Sequence, residues 1–365
     1  MNNETASIRD LFGENIVLRD LEPLNPKIPG LSKVRDQLSF AEDYMPRKNE
    51  PAYVKVVESF ILSIGNQIRH VFYVGDSFFN DGYAIKHLSG YSHLSVLGFL
   101  CNQSKSATGD FLFGNILFSE DWASLWKLVS EGLKRGITIN EQTIGLFDLD
   151  NTTYAAKGRE SEPLTAARLE AVHLLFSEAL GPNRYRKERT ERAFREFDRD
   201  EFHPYTLDNL DYVVFLALVF SLGLFDIQEI TQNLVQKGMA SFCEQVLEEV
   251  ERRRVSEDLE KTCNIVREIH FNMRNGDKTP LKTFRSKEYA STAKWMSQAG
   301  DSGQRITITR EVLEFVDFLS QNNVHVLALS DRPVEATSPW DVPGTSLVDI
   351  PMHVSGQSIQ TKLPR

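Results

Sequence analysis

IGLFDLDNTTY, residues Ile144–Tyr154, is a short apolar run that stops at two carboxylates, Asp148 and Asp150, and passes into a polar turn at Asn151. HVFYVGDSFFNDG, His70–Gly82, has the same build: an apolar run that breaks off at Gly75, with Asp76 next and Asp81 five residues further on. In an open α/β sheet, ligands bind beyond the carboxyl ends of the strands, so acids that terminate strands project into the ligand site. The two runs therefore read as strands whose acids belong to one site. A third run, NVHVLALSDRP, ends at Ser330 and puts a hydroxyl at a strand terminus, followed by Asp331 and Arg332.

Outward from these segments the chain has two textures. Up to about residue 145, and again from about 305, short apolar β-branched runs alternate with amphipathic stretches, the pattern of an α/β domain with a mostly parallel sheet. Strands are expected at Val71–Gly75, Leu94–Leu100, Ile116–Phe118, Ile144–Asp148 and Val324–Leu329, and helices at Ala52–Ile64, Trp122–Arg135 and Arg310–Ser320. Between about 155 and 300 apolar residues recur at helical spacing, as in Leu164–Leu180, Leu207–Leu224, Ile227–Val235 and Phe242–Val250. That region reads as an all-helical insert of about five to seven helices. The expected division is an α/β core made of residues 1–153 and 301–365, with a helical domain at 154–300.

At 365 residues and 41% apolar content the chain is long enough for two domains. A net charge of -10 and a pI near 5.4 argue against a general nucleic-acid or membrane-surface binder, because both partners are polyanionic. Cys101, Cys243 and Cys263 are far apart and form no CxxC or Cys/His pattern, as expected of buried thiols in a reducing cytoplasm. The first residues lack the basic start and apolar core of a signal peptide. The longest apolar stretch, Tyr212–Phe225, is shorter than the ~20 residues of a membrane span and reads as a buried helix.

The acids suggest phosphoryl chemistry. Asp148 and Asp150 lie two apart ahead of a turn, so both can approach one phosphoryl group, one as nucleophile and the other as proton donor. A phosphate ester brings more negative charge to these acids, so a cation is required. Mg2+ suits an all-oxygen site, with Asp76, supported by Asp81, as a further ligand. The Ser330 hydroxyl suits a phosphoryl oxygen, and a lysine would balance the charge of the transition state.

In these motifs the chain resembles the haloacid dehalogenase superfamily of phosphotransferases. DLDNT matches that family's DxDx(T/V) motif at Asp148, Asp150 and Thr152; Ser330 matches its strand ending in Ser or Thr; Gly75, Asp76 and Asp81 match GDxxxxD. Lys48, in MPRKNEPAYVKVVESF, stands where the family's lysine precedes the helix leading to GDxxxxD, with Lys55 and Lys362 as fallbacks. The resemblance implies a Rossmann-like core and a helical cap inserted after the first motif. It also implies Asp148 as a nucleophile that forms an aspartyl-phosphate and Asp150 as general acid and base, with Mg2+ held by Asp148, Asp76, Asp81 and the main-chain carbonyl of Asp150.

The order departs from the family's. The third and fourth motifs here precede the first and second, as in a circular permutation, which is tolerable because domain termini often lie close together. Two incomplete cores are the competing account. In the insert, Lys278, Lys282, Arg285 and Lys287 follow a glycine turn near the return to the core; Lys282 and Arg285, with Thr152 and Arg332, are the candidate substrate contacts. The implied activity is magnesium-dependent hydrolysis of a small phosphorylated metabolite, with no nucleic-acid or membrane partner. A homodimer is to be watched for, since terminal pieces could complete sites by swapping. A phosphomutase or other phosphotransferase would use the same residues. A non-catalytic binding or regulatory module retaining the core is the reading from another class.

Overall fold

The computed structural model describes residues 5–42, 44–101, 109–207, 209–298, 305–339 and 344–355. The chain divides into two compact units: Met1–Leu164 with Ala293–Thr337 and Thr345–Arg365, and Thr165–Thr292 with Ser338–Gly344.

The first unit is α/β. Among the described residues its strands are β1 (Thr5–Ala6), β2 (Ile16–Val17), β3 (His70–Gly75), β4 (Ser95–Cys101), β5 (Phe111–Phe113), β6 (Ile116–Ser119), β7 (Thr143–Asp148), β8 (His325–Leu329) and β9 (Met352–His353). Seven form one sheet in the order β2-β8-β7-β3-β4-β6-β5, parallel throughout except for β5 on β6, while β1 and β9 form a separate antiparallel pair. β3, β7 and the apolar part of β8 are buried nearly end to end, as expected of parallel strands covered on both faces.

Alternation along the strands assigns the two faces. Val71, Tyr73, Ile144, Leu146, Leu327 and Leu329 pack against Leu31, Val34 and the helices Pro51–Ile64 and Tyr83–Leu88. Pro51 stands in the first turn of its helix, where a missing N–H costs nothing. On the opposite face Phe147 meets Phe12 and Phe315 with ring centroids 5.5 and 6.2 Å apart, Phe72 meets Phe315 at 6.3 Å, and Phe99 meets Trp122 at 6.0 Å. The helix Arg310–Gln321 carries Phe315 on its buried stripe.

The second unit is helical. Its centre is Leu210–Leu222, capped by the Asn209 side chain at one end and by Gly223 in the left-handed region at the other. This helix is apolar almost all round, which suits burial on every side. The segments Glu162–Arg184 and Ile227–Arg253 each turn at a left-handed glycine, Gly181 and Gly238. Among the described residues no helix is long and apolar enough to cross a membrane.

The boundary differs from the sequence reading. Residues 154–164 stay with the α/β unit because backbone and side chain tie them into it: the Ala155 N–H donates to the Thr307 carbonyl (2.9 Å), the Trp122 indole donates to the Lys157 carbonyl (3.4 Å), and the Arg159 guanidinium makes two hydrogen bonds to the Glu311 carboxylate (2.6 and 2.9 Å).

Candidate functional site

β8, β7 and β3 are neighbours in the sheet and run the same way. Asp148 lies opposite Leu329, and Phe147 opposite Val74, so the chain leaves all three strands at one level, with Ser330, Asp148 and Asp76 at the exits. Burial is deep: Asp76, Asp81, Asp148 and Ser330 are all nearly inaccessible, and Lys48 is 1% exposed.

Lys48 arrives from the loop before Pro51–Ile64. Its ammonium group pairs with the Asp148 carboxylate, lies 3.3 Å from Asp81 and 3.5 Å from Asp331, and donates to the Leu329 carbonyl at 3.4 Å. Lys55 points to solvent instead, and Lys362 lies outside the described residues. Asp148 is 100 residues from Lys48 in sequence, so this contact is wholly tertiary.

Asp81 orders the loop. One carboxylate oxygen accepts from the Tyr73 hydroxyl (3.0 Å) as well as Lys48; the other accepts from the backbone N–H groups of Asp76 (3.2 Å) and Ser77 (3.1 Å). The Phe78–Gly82 turn is π-wound, with Ser77 capping it by accepting from the Asn80 N–H. π-turns are rare and often found at functional sites; this one brings Asp81 back over the strand end. Gly75 is required there, since a Cβ would lie 2.5 Å from the Asp81 carboxyl carbon.

Asp150 is held from two sides. Arg332, itself buried, donates from Nη2 (3.1 Å) and Nε (3.3 Å) to the two carboxylate oxygens, and the Tyr154 hydroxyl donates to one of them. The turn between Asp148 and Tyr154 puts Asn151 in the left-handed region, which Asn tolerates better than most residues. It is pinned by Thr153, whose hydroxyl donates to the Asp148 carbonyl (2.6 Å), and by Thr309, which donates to the Thr152 carbonyl (2.7 Å). The Thr152 hydroxyl is buried without a hydrogen-bond partner among the described residues. Ser330 accepts from the Arg332 N–H at 3.0 Å.

Lys157 is the residue that sequence reasoning missed. Its ammonium group sits 2.8 Å from the Asp76 carboxylate and 3.5 Å from the Asp76 carbonyl. In sequence it is one lysine in AAKGR, with no periodicity to mark it.

The electrostatics follow from the inventory. Carboxylate oxygens of Asp76, Asp81 and Asp148 lie within 4.8 Å of one another, while two ammonium groups, Lys48 and Lys157, face them. Burial pushes Asp148 well above the ordinary carboxylate range despite the opposing pull of Lys48, and pushes Asp76 up to about 6 against that of Lys157. Burial alone would lower Lys48, but Asp148, Asp331 and Asp81 outweigh it and hold the ammonium form. The cluster is short of positive charge.

Lys282 and Arg285 belong to the helical unit. Lys282 pairs with Asp277 at 2.9 Å. Arg285 is 2% exposed and bound internally, to Asp211 and Glu288 at 2.6 Å each and to Asn209 at 3.0 Å. Its guanidinium is therefore a structural group, which corrects its reading as a substrate contact.

Comparison of the chain with family models, curated proteins and solved structures yields no match in any of the three, so its functional reading rests on these residues and their geometry.

Proposed function

We propose that this protein is a magnesium-dependent phosphatase of the haloacid dehalogenase type, acting on small phosphate monoesters through an aspartyl-phosphate on Asp148. The observation that carries this reading is the convergence of Lys48, Asp76 and Asp148, from three separate segments, in one buried cluster at the exits of adjacent parallel strands. The adjacency of β8, β7 and β3 also favours one permuted core over two incomplete ones.

The donor set fits magnesium: hard carboxylate oxygens, close together and with more negative than positive charge around them. Asp76, Asp148 and the main-chain carbonyl of Asp150 would hold the ion. When bound, it supplies Lewis-acid stabilisation of charge on the phosphoryl oxygens. Asp81, with its oxygens already engaged, positions the loop that carries Asp76.

The remaining chemistry belongs to the chain. An Asp148 carboxylate oxygen attacks phosphorus, the bond to the ester oxygen breaks, and Asp150 gives that oxygen a proton. Water then attacks the aspartyl-phosphate, Asp150 takes its proton, and inorganic phosphate leaves with the Asp148 carboxylate restored. Lys48 orients Asp148 and offsets charge as the phosphoryl group transfers. Ser330 contacts a phosphoryl oxygen, and Arg332 with Tyr154 fixes the direction of Asp150.

The test is hydrolysis of an aryl phosphate with Mg2+, followed by a panel of phosphorylated sugars, nucleotides and amino acids. Wild type should turn over, and Asp148→Asn should lose on the order of a thousandfold or more in kcat. A wild type inactive on the whole panel and indistinguishable from Asp148→Asn would sink the proposal.

A further inference from the structure

We propose that Lys157 is an exchangeable counter-cation of the acidic cluster, standing on Asp76 until a divalent ion replaces it and thereby setting how tightly the chain holds metal. This inference rests on the metal-dependent reading above.

The two lysines of the cluster are built differently. Lys48 is almost wholly inaccessible, and its ammonium group contacts Asp148, Asp81, Asp331 and the Leu329 carbonyl, so moving it would break all of these contacts at once. The Lys157 side chain is 35% exposed and engages a single residue, Asp76, through one carboxylate oxygen and the carbonyl. Its backbone is nevertheless anchored: the Lys157 N–H donates to the Asn151 carbonyl at 2.9 Å, and its own carbonyl accepts from Trp122. A fixed backbone with a flexible four-carbon stem lets the ammonium leave without unfolding the loop.

Metal and ammonium compete for Asp76. An ammonium group 2.8 Å from Asp76 Oδ2 competes with a metal ion for that carboxylate, and a second cation brought to the same buried acid is repelled by the first. Apparent metal affinity is then the intrinsic affinity less the free energy of breaking the Lys157–Asp76 pair. A plain structural strut would behave in the opposite way, since its removal would loosen the loop and leave metal affinity unchanged or weaker.

The experiment is Mn2+ binding to the metal-free, full-length protein, read directly by the electron paramagnetic resonance of free Mn2+ and by calorimetry, with thermal unfolding to confirm that each variant is folded. Lys157→Met should bind Mn2+ about tenfold more tightly than wild type, and Lys157→Arg, which keeps the charge, should stay within about threefold of it. Lys157→Gln serves in the same assay if the Met variant does not fold. Binding by the Met variant alone supports the inference in its strongest form. Binding by wild type with no gain in the neutral variants overturns it and leaves the metal-dependent reading standing. No binding by any of these proteins removes both.

Discussion

In the helical unit, Asp211 and Glu288 are buried beside Arg285, and a second guanidinium, Arg168, lies 3.6 Å from Glu288. In the α/β unit, Asp76, Asp81 and Asp148 are equally buried, but the cations facing them are the fixed Lys48 and the half-exposed Lys157. The first group is matched acid for base and tied to backbone and amide groups, with the Leu281 N–H and the Asn209 side chain completing it. The second is left with excess acid at the ends of strands, where ligands bind. Buried charge alone therefore does not distinguish the two groups; charge balance at a strand exit does, because dehydrated carboxylates short of cations will take a proton, a metal or a cationic side chain.

If that contrast is sound, variants in the two groups should fail in different ways. The largest effect on stability is expected from Arg285→Met, which removes the guanidinium shared by two buried carboxylates. It should destabilise the protein by about 3–5 kcal/mol in chemical denaturation, and joint replacement of Arg285, Asp211 and Glu288 by apolar residues should recover most of the loss. A loss of turnover without loss of stability in Arg285→Met would break the comparison.

Arg332→Met tests the Arg332–Asp150 pair that adjoins the other group. With Asp150 no longer held by two hydrogen bonds, kcat should fall by about a hundredfold. Mn2+ affinity and the unfolding midpoint should move little. An equal loss in metal affinity would mean that Arg332 shapes the metal end of the cluster instead.

Asp20 gives the smallest and most diagnostic effect. It is partly buried just beyond β2, and burial, followed by the nearby charges of Glu22 and Glu335, raises it from the ordinary 3.8 to about 6. Because the folded value is the higher one, its protonation favours the folded state: that contribution is complete below pH 3.8 and is lost as pH rises through about 6. Asp20→Asn should therefore stabilise the protein by about 1 kcal/mol at pH 7.5, a figure reduced for partial exposure, and by nothing at pH 4. A pH-independent difference would show that Asp20 is not a strained buried acid.

Much of the α/β unit was legible in the chain. The runs ending at Gly75, Leu100, Phe118, Asp148 and Leu329 all appear as strands within about two residues. β2 and β5 were not read: a two-residue strand carries no period, and Phe111–Phe113 is an edge strand with all three residues exposed, so its two faces do not differ. Apolar spacing also stopped at Val235 and resumed at Phe242, and Gly238 turns the chain between them. Strand-ending acids in the sequence pointed to Asp76, Asp148 and Asp150, and the structure brings Asp76 and Asp148 together with Asp81. Arg285 misled because a basic residue after a glycine turn looks solvated, while its carboxylate partners are either distant in sequence, as Asp211 is, or one helical turn away, as Glu288 is.

By itself, then, the sequence determined where the five central strands lie and that their terminal acids would collect on one side of a sheet, because both follow from local periodicity and from where an apolar run stops. Tertiary structure alone decided that β8, β7 and β3 are neighbours, that Lys48 rather than Lys55 meets Asp148, that Arg332 holds Asp150, and that Lys157 stands on Asp76. Those choices depend on which loop reaches which strand end and on how completely water is excluded there. Burial magnifies small differences in position into large differences in charge balance, and spacing along a chain does not encode it.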